Sequence, residues 1–480
     1  MSITYPNWDA SIFAYTVSAH ILIVTLTLGL ALLILISEFI GLKYKNKYYE
    51  ALAHKMSIAL VINFAIGTAS GIFMAVKLML FWPNFMAMVG DVAMGAFYAE
   101  VFAFLVESIA LMVYVYFWDN FKNRWYHWLV SWGVLIGTGG SAALIVDVNA
   151  WMNTPTGSFN IPYYLETGKI IDVNPLAVFW EPSTGAQLFH MYAAEYLAGS
   201  MMVLIYLAYK YMKTNNVDAR KMYKAGIGIL SIVAIFDIII TGIAGSVEAT
   251  TLLAVEPLKY ADIEQDMYPA THGVAEHVFG ILVNGKPAYY LNIPGLQSLL
   301  AYPTTFGKGP IPGLSTYPAS DWAPSVVHDL FDLMVGFGTL IGLYWLYVVV
   351  QYFRKKDPLN QKLTLYGMMF FGVIAVITME LGWWTAEVSR VPFIVKSPVP
   401  GGLIVNGTHY YGVMTITDAA SYSPIIWPLG ILIIIFYIIL IPLMFYYMAG
   451  VLKDETDEEM QKAEEEVNNG GATGMKAGMR

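Results

Sequence analysis

Residues 95–119 read GAFYAEVFAFLVESIALMVYVYFWD. The run is long enough to cross a bilayer and almost wholly apolar, yet it carries Glu100 and Glu107. Seven residues at ~100° each bring both carboxylates to one helix face, within ~20° of two full turns. A charged carboxylate at the bilayer centre costs at least ~2.5 kcal/mol, and two on one face repel each other. That face must look into protein, water or a metal centre. On these residues alone two readings stay open. The pair are structural hydrogen bonders between helices, or they carry protons or bind an iron. The stretch ends at Asp119, where Lys122 and Arg124 begin a polar turn.

The chain has 480 residues, 57% of them hydrophobic and 13% charged, with a mean hydropathy of +0.57. These values describe a polytopic membrane protein. The net charge is −9, with much of the acid in loops and in the last thirty residues, so no nucleic-acid partner is expected. There are no cysteines. That excludes disulfides, iron–sulfur clusters, thiolate ligands and covalently attached c-type haem. Any metal must be held by His, Met or carboxylate. The opening MSITYPNWDA lacks a basic leader, so no cleavable signal peptide is expected.

Nine apolar spans predict an all-α membrane protein, at roughly 12–36, 56–80, 95–118, 127–150, 184–209, 223–246, 327–352, 364–386 and 423–449. Of 26 basic residues, 19 fall in the turns after the odd-numbered spans or in the tail. The positive-inside rule makes that side cytoplasmic, with the N-terminus outside and the C-terminus inside. Two outer loops are long, 151–183 and, between spans six and seven, 247–326. Structureless loops of such length usually serve a function. Residues 1–452 form the transmembrane domain in this reading, and 453–480 a charged, disordered cytoplasmic tail.

Several polar side chains fall inside these spans. His20 lies about a third of the way into span one, and alone it reads equally as a helix–helix hydrogen bonder. His190 and Met334 sit at matching depth in spans five and seven, and a His–Met pair is the axial set of a low-spin haem. Glu380 and Glu387 again lie seven apart on one face, and Arg390 makes a surface ion pair the plain reading of Glu387. His54, His127, His272, His277, His328 and His409 lie in loops or at span ends and carry no assignment. By the topology above, His20, Glu100, His190, Met334 and Glu387 fall in the outer half, Asp119 at the inner end and Glu107 between. The pattern suggests redox centres near the outer face, reached by an acidic path from the cytoplasm.

With these residues in view the chain resembles subunit I of the cytochrome bd quinol oxidases. The motifs are INFAIGTASG (62–71), FLVES (104–108), VNAWMNTPTG (148–157), HMYAAEYLAG (190–199), EPLKYADIE (256–264), LMVGFG (333–338) and GWWTAEVSRVPF (382–393). They run in the family's order across nearly the whole chain. The resemblance implies three haems: two haem b and one haem d, or a third haem b. His190 and Met334 match the ligands of the low-spin haem b. His20 matches a ligand of a high-spin haem, assigned as haem d, and Glu387 that of a high-spin haem b. Glu100 is a further candidate ligand. Trp383 matches an aromatic between haems. Lys259 and Glu264, in the long outer loop, match the quinol-oxidising pair, although by charge alone they read as a solvated pair. Asp119, Glu107, Ser108 and Ser141 match a proton path.

The chain departs from the family at four places. Glu100 stands seven, not eight, residues before Glu107. Ala10 and Asp332 stand where the family has arginines, and Lys55 lies about three residues before a lysine position held here by Ile58. The resulting expectation is a subunit, in the plasma membrane of a prokaryote, that oxidises quinol at the outer face and reduces O2 to water with cytoplasmic protons. Potential would be generated without pumping. A second membrane subunit, subunit II-like or a paralogous copy, is the expected partner. The rivals are a quinone-linked haem electron-transfer subunit without O2 reduction, and a proton-coupled transporter.

Overall fold

An unpaired backbone amide is costly inside a bilayer, and a helix satisfies every one of its own, so each apolar run becomes a helix. The computed structural model describes residues 4–283 and 286–452. Among them nine helices are long and apolar enough to cross a membrane. They are α1 (Tyr5–Tyr44), α2 (Lys47–Phe81), α3 (Met94–Tyr116), α4 (Arg124–Asn153), α5 (Thr184–Lys213), α6 (Val217–Val255), α7 (Val326–Phe353), α8 (Lys362–Val388) and α9 (Ile426–Val451). The expected tail, 453–480, lies outside the described residues. Three of the tight turns at the basic end are set by asparagine caps. Asn46, Asn123 and Asn216 each accept from an amide of the first turn of the next helix.

The bundle is built around α1 and α5. Of their most apolar stretches 67% and 72% are buried, against 17–33% for the other seven, so these two form the centre and the rest the wall. Their crossing is as close as backbones allow. A Cβ on Gly29 would lie 2.3 Å from the carbonyl carbon of Gly199, and one on Gly199 would lie 2.3 Å from the carbonyl oxygen of Thr25. Only glycine fits on either side, the usual device where apolar attraction between helices is absent. The outward faces are apolar and open, with Val101, Phe102 and Leu105 on α3 and Ile438 and Ile439 on α9 all exposed.

At the basic end a buried polar cluster ties four helices. Arg124 Nη2 lies 3.3 Å from Glu38 of α1 and 3.3 Å from Glu50 of α2. Tyr114 of α3 donates to Glu38 at 2.7 Å. His127 Nδ1 is 2.5 Å from Glu38 Oε1, and its Nε2 is 2.8 Å from the carbonyl oxygen of Tyr114. The ring of His127 thus bridges from α4 to α1 and α3. His127, which carried no assignment from its place at a span end, is thus part of this cluster.

The stretches between helices at the other end are not structureless. Residues 247–326 contain the last turns of α6, a helix at Pro257–Glu264, a helix at Leu296–Ala301 and paired short strands at Glu276–Val278 and Leu291–Ile293. After α8, strand Phe393–Lys396 pairs antiparallel with Gly412–Thr415. Strands Leu403–Val405 and Thr408–Tyr410 join through Asn406 and Gly407, both at positive φ, 48° and 81°. That pair of residues is the preferred two-residue hairpin turn.

Removing one member of a fully buried ion cluster strands the others, at a cost of about 3–5 kcal/mol. Arg124→Met is therefore expected to lower the melting temperature in detergent sharply. Asp218→Asn, at the exposed Lys221 pair, is expected to leave it within error. Equal melting of the two variants would show that the cluster does not hold the helices.

Candidate functional site

At the long-loop end, α5 and α7 carry two of the expected iron ligands, His190 and Met334. The His190 ring faces Gly245 of α6, where a Cβ would lie 3.3 Å from its Cε1. His190 Nδ1 is buried and has no hydrogen-bond partner. Met334 of α7 faces Gly382 of α8, where a Cβ would lie 3.1 Å from its sulfur. The next residue, Trp383, donates its indole N–H to Glu195 at 3.2 Å. Glu195 is buried on α5, five residues beyond His190, and its other oxygen bonds the Thr25 hydroxyl of α1. Trp383 and Glu195 thus tie the helix of His190 to α8, against which Met334 rests.

His20 is held differently. Its Nδ1 lies 3.0 Å from the Ser70 hydroxyl of α2, which lies 2.9 Å from the Tyr437 hydroxyl of α9. A ring fixed through Nδ1 is oriented, and Nε2 is left for another partner. Glu387 accepts from Asn149 of α4 at 2.8 Å and pairs with Arg390. Arg390 is buried while the Glu387 side chain keeps 17% exposure, so the pair expected at the surface is a partly buried one.

On α3, Glu100 accepts from Ser141 of α4 at 2.7 Å. Glu107 is buried about two helical turns further along α3, beside Thr138. A Cβ on Gly137 would lie 2.6 Å from its backbone nitrogen, so the two helices touch at this carboxylate. Ser108 turns back to the Phe104 carbonyl at 2.7 Å. Asp119 is exposed, and the helix expected to run through it ends at Tyr116. Residues 117–120 form a turn closed by the Asn120 amide on the Phe117 carbonyl, ahead of the Asn123 cap.

In the long loop, Lys259 and Glu264 are both buried but face apart. Five residues at ~100° each leave them ~140° apart on their helix. Lys259 Nζ donates to Asn153 at 3.0 Å and lies 3.6 Å from Glu256. Glu264 lies instead among Glu276, Asp266 and Asp332, and burial first, then those carboxylates, pushes it well above the usual range. Lys259, Glu256 and Asn153 line a recess closed by Lys396, Ser397 and Tyr411 of the hairpin after α8. Burial pushes the Lys396 amine down to about 8, partly offset by Glu256. Burial also lifts the nearby Asp262 carboxyl to about 7. Gly402, at φ +86°, makes room here, since a Cβ would lie 2.9 Å from the Tyr411 ring.

Glu195, Asn149, Asn153, Glu256 and Lys396 were not singled out by sequence. Glu195, Glu256, Asn153 and Asn149 stand inside the quoted motifs, and Lys396 ends the apolar run FIVK shortly before an Asn-Gly turn. Those were the available signals.

Comparison with known proteins now bears on this geometry. The family described as cytochrome bd terminal oxidase subunit I matches residues 10–456. A Bacillus subtilis protein named putative cytochrome bd menaquinol oxidase subunit I is 31% identical over 411 residues, 84% of this chain and 90% of that one. An Escherichia coli protein named cytochrome bd-II ubiquinol oxidase subunit 1 is 25% identical, over 81% of this chain and 87% of that one. The bd oxidase structure from Geobacillus thermodenitrificans superposes with a TM-score of 0.84 at 25% identity, covering 94% of this chain and 99% of that one. A profile match over nearly the whole length, a relative above 30% identity and a shared nine-helix fold agree: this chain belongs to the cytochrome bd terminal oxidase subunit I family.

Proposed function

We propose that the chain is the haem-carrying subunit of a prokaryotic plasma-membrane oxidase. It oxidises quinol at the long-loop face, which lies outside, and supports reduction of O2 to water with protons from the basic, cytoplasmic face. The bound haems, two b and one d or a third b, would supply the one-electron chemistry that joins the two half-reactions. His190 and Met334 hold the low-spin haem b. His20 and Glu387 hold the high-spin pair, with haem d at His20 and Glu100 as a further ligand. The observation that carries this reading is the buried His190 Nδ1 without a hydrogen-bond partner. A buried imidazole nitrogen without a partner costs about 1–3 kcal/mol, which a metal bond removes. A glycine opposite each of the two side chains keeps space beside it clear.

The carboxylates on α3 take the role of proton carriers. Ser141 keeps Glu100 oriented, and Glu107 stands deeper on the same helix. From Glu107 to Asp119 the gap is too long for one hop. Ser108 and ordered water would fill it, the serine hydroxyl being able to donate and accept. Lys259 and Glu264 of the long loop would take the quinol-binding role. A second membrane subunit, subunit II-like or a paralogous copy, is the partner in this reading. Electrons entering from outside and protons from inside give a membrane potential without a pump.

Met334→Leu conserves volume, so the fold is expected to stand. Its low-spin haem band should turn high-spin or vanish, and an unchanged reduced-minus-oxidised spectrum would make Met334 core filler. Glu107→Gln keeps shape but cannot titrate. Haem reduction by quinol should persist while steady O2 reduction falls about 100-fold, the lower range for a lost acid–base group. Turnover at the parent rate would return Glu107 to a structural role. In proteoliposomes, proton uptake should occur on the side of the basic turns, and uptake on the side of 247–326 would reverse the orientation.

A further inference from the structure

Where α1 begins and α2 ends, three buried polar side chains are left unmatched. Lys77 of α2 is 1% exposed, and its ammonium has no hydrogen-bond partner among the described residues. The indole N–H of Trp82, the residue that caps α2, is buried and also lacks an acceptor. Asp9 of α1 is fully buried. One of its carboxylate oxygens accepts from the Ser421 amide at 3.1 Å, and the other accepts from nothing. Phe13 of α1 lies among them. Lys77 Nζ stands 3.9 Å from the centre of its ring, and the Trp82 ring makes a T-shaped contact with it, centroids 6.4 Å apart. A ring face attracts a cation, but it does not replace the oxygens that an ammonium loses on burial. The charges that act on Lys77 are Asp9 and, from α8, Glu387. Glu387 spends its oxygens on Asn149 and Arg390. A cation with three unspent donors and an indole N–H thus face the helix that carries an expected haem ligand. That is the complement of a carboxylate brought in from outside the chain.

We propose that Lys77 holds a carboxylate side chain of the haem bound at Glu387, with the Trp82 N–H as a second donor and Asp9 as the counter-charge of the lysine. The inference rests on the reading that Glu387 holds a high-spin haem, and it deepens that reading by naming what grips the rest of the group. Position 10 gives a reason for a lysine here. Ala10 stands where the family has an arginine, and it lies one turn before Phe13 on the same face of α1. The ring under Lys77 is therefore next to the place from which an arginine side chain would leave. In this chain the cation reaches that place from α2 instead. An ammonium is a compact point charge and holds a carboxylate without the two-pronged fit of a guanidinium. The role is binding and electrostatic, and no bond is made or broken. Ferrous haem carries one positive charge less than ferric, so a cation held beside it favours the reduced form.

The test uses the assembled oxidase. Haem is counted by pyridine haemochrome, and the high-spin haem b band is titrated against potential. Lys77→Met keeps most of the side-chain length and removes the charge. At the parent midpoint its ferrous-to-ferric ratio should fall about tenfold, the lower range for loss of a group that supports a metal site. The carboxylate bands of carbon-13-labelled haem should move in reduced-minus-oxidised infrared spectra, which a charge acting only from a distance would not cause. Lys77→Arg should restore both readouts. Adding Ala10→Arg to Lys77→Met should recover the ratio from α1, and the low-spin band should titrate as in the parent throughout. If Lys77→Met does not assemble, Ala10→Arg on the parent chain decides, since a second cation should raise the ratio. An assembled Lys77→Met enzyme with the parent ratio and parent infrared bands overturns the proposal. So does an unchanged ratio in Ala10→Arg where that variant decides. A full complement of high-spin haem b in Glu387→Ala overturns instead the reading on which the proposal rests.

Discussion

A carboxylate set among apolar helices must find donors before the bundle can close around it. In this chain that constraint organises both ends. At the basic end Glu38 gathers Tyr114, Arg124 and His127, and Arg124 reaches on to Glu50, so α1 to α4 meet through one buried polar cluster. In the middle the Gly29–Gly199 contact lets α1 and α5 approach backbone to backbone. With the central pair fixed, the wall helices can present their polar side chains inward. Glu100, Glu107, Glu195 and Glu387 each find a named donor or a helix pressed against them.

The polar groups left without donors are therefore informative. His190 Nδ1 and both oxygens of Glu256 are among the buried polar atoms without a hydrogen-bond partner. The two lie at the same end of the bundle, one on α5 facing α6 and one at the end of α6.

The nine helices were legible because their apolar runs are long and their basic turns regular. Their ends were not. α1 starts at Tyr5, not near residue 12, and α6 runs to Val255, because polar and aromatic residues continue a helix beyond the apolar core at no backbone cost. α3 stops at Tyr116, where turn residues and the Asn123 cap outweigh the apolar pattern. Of the site, the intramembrane His, Met and Glu residues were visible as costs that a bilayer would not tolerate idly. The long-loop site was only half visible. Lys259 and Glu264 stand five residues apart and face different sides of their helix, whereas Asn153 and Lys396 reach Lys259 and Glu256 from stretches far apart. His127 was unreadable for the same reason, since Glu38 lies 89 residues away.

The account depends on metal ligation explaining the buried histidines, methionine and carboxylates. The most direct test is the haem content of the purified oxidase, by pyridine haemochrome and reduced-minus-oxidised spectra. Three haems per copy of this chain, one low-spin and two high-spin, are predicted. A preparation active in membranes but without haem, or with no low-spin component, would contradict it.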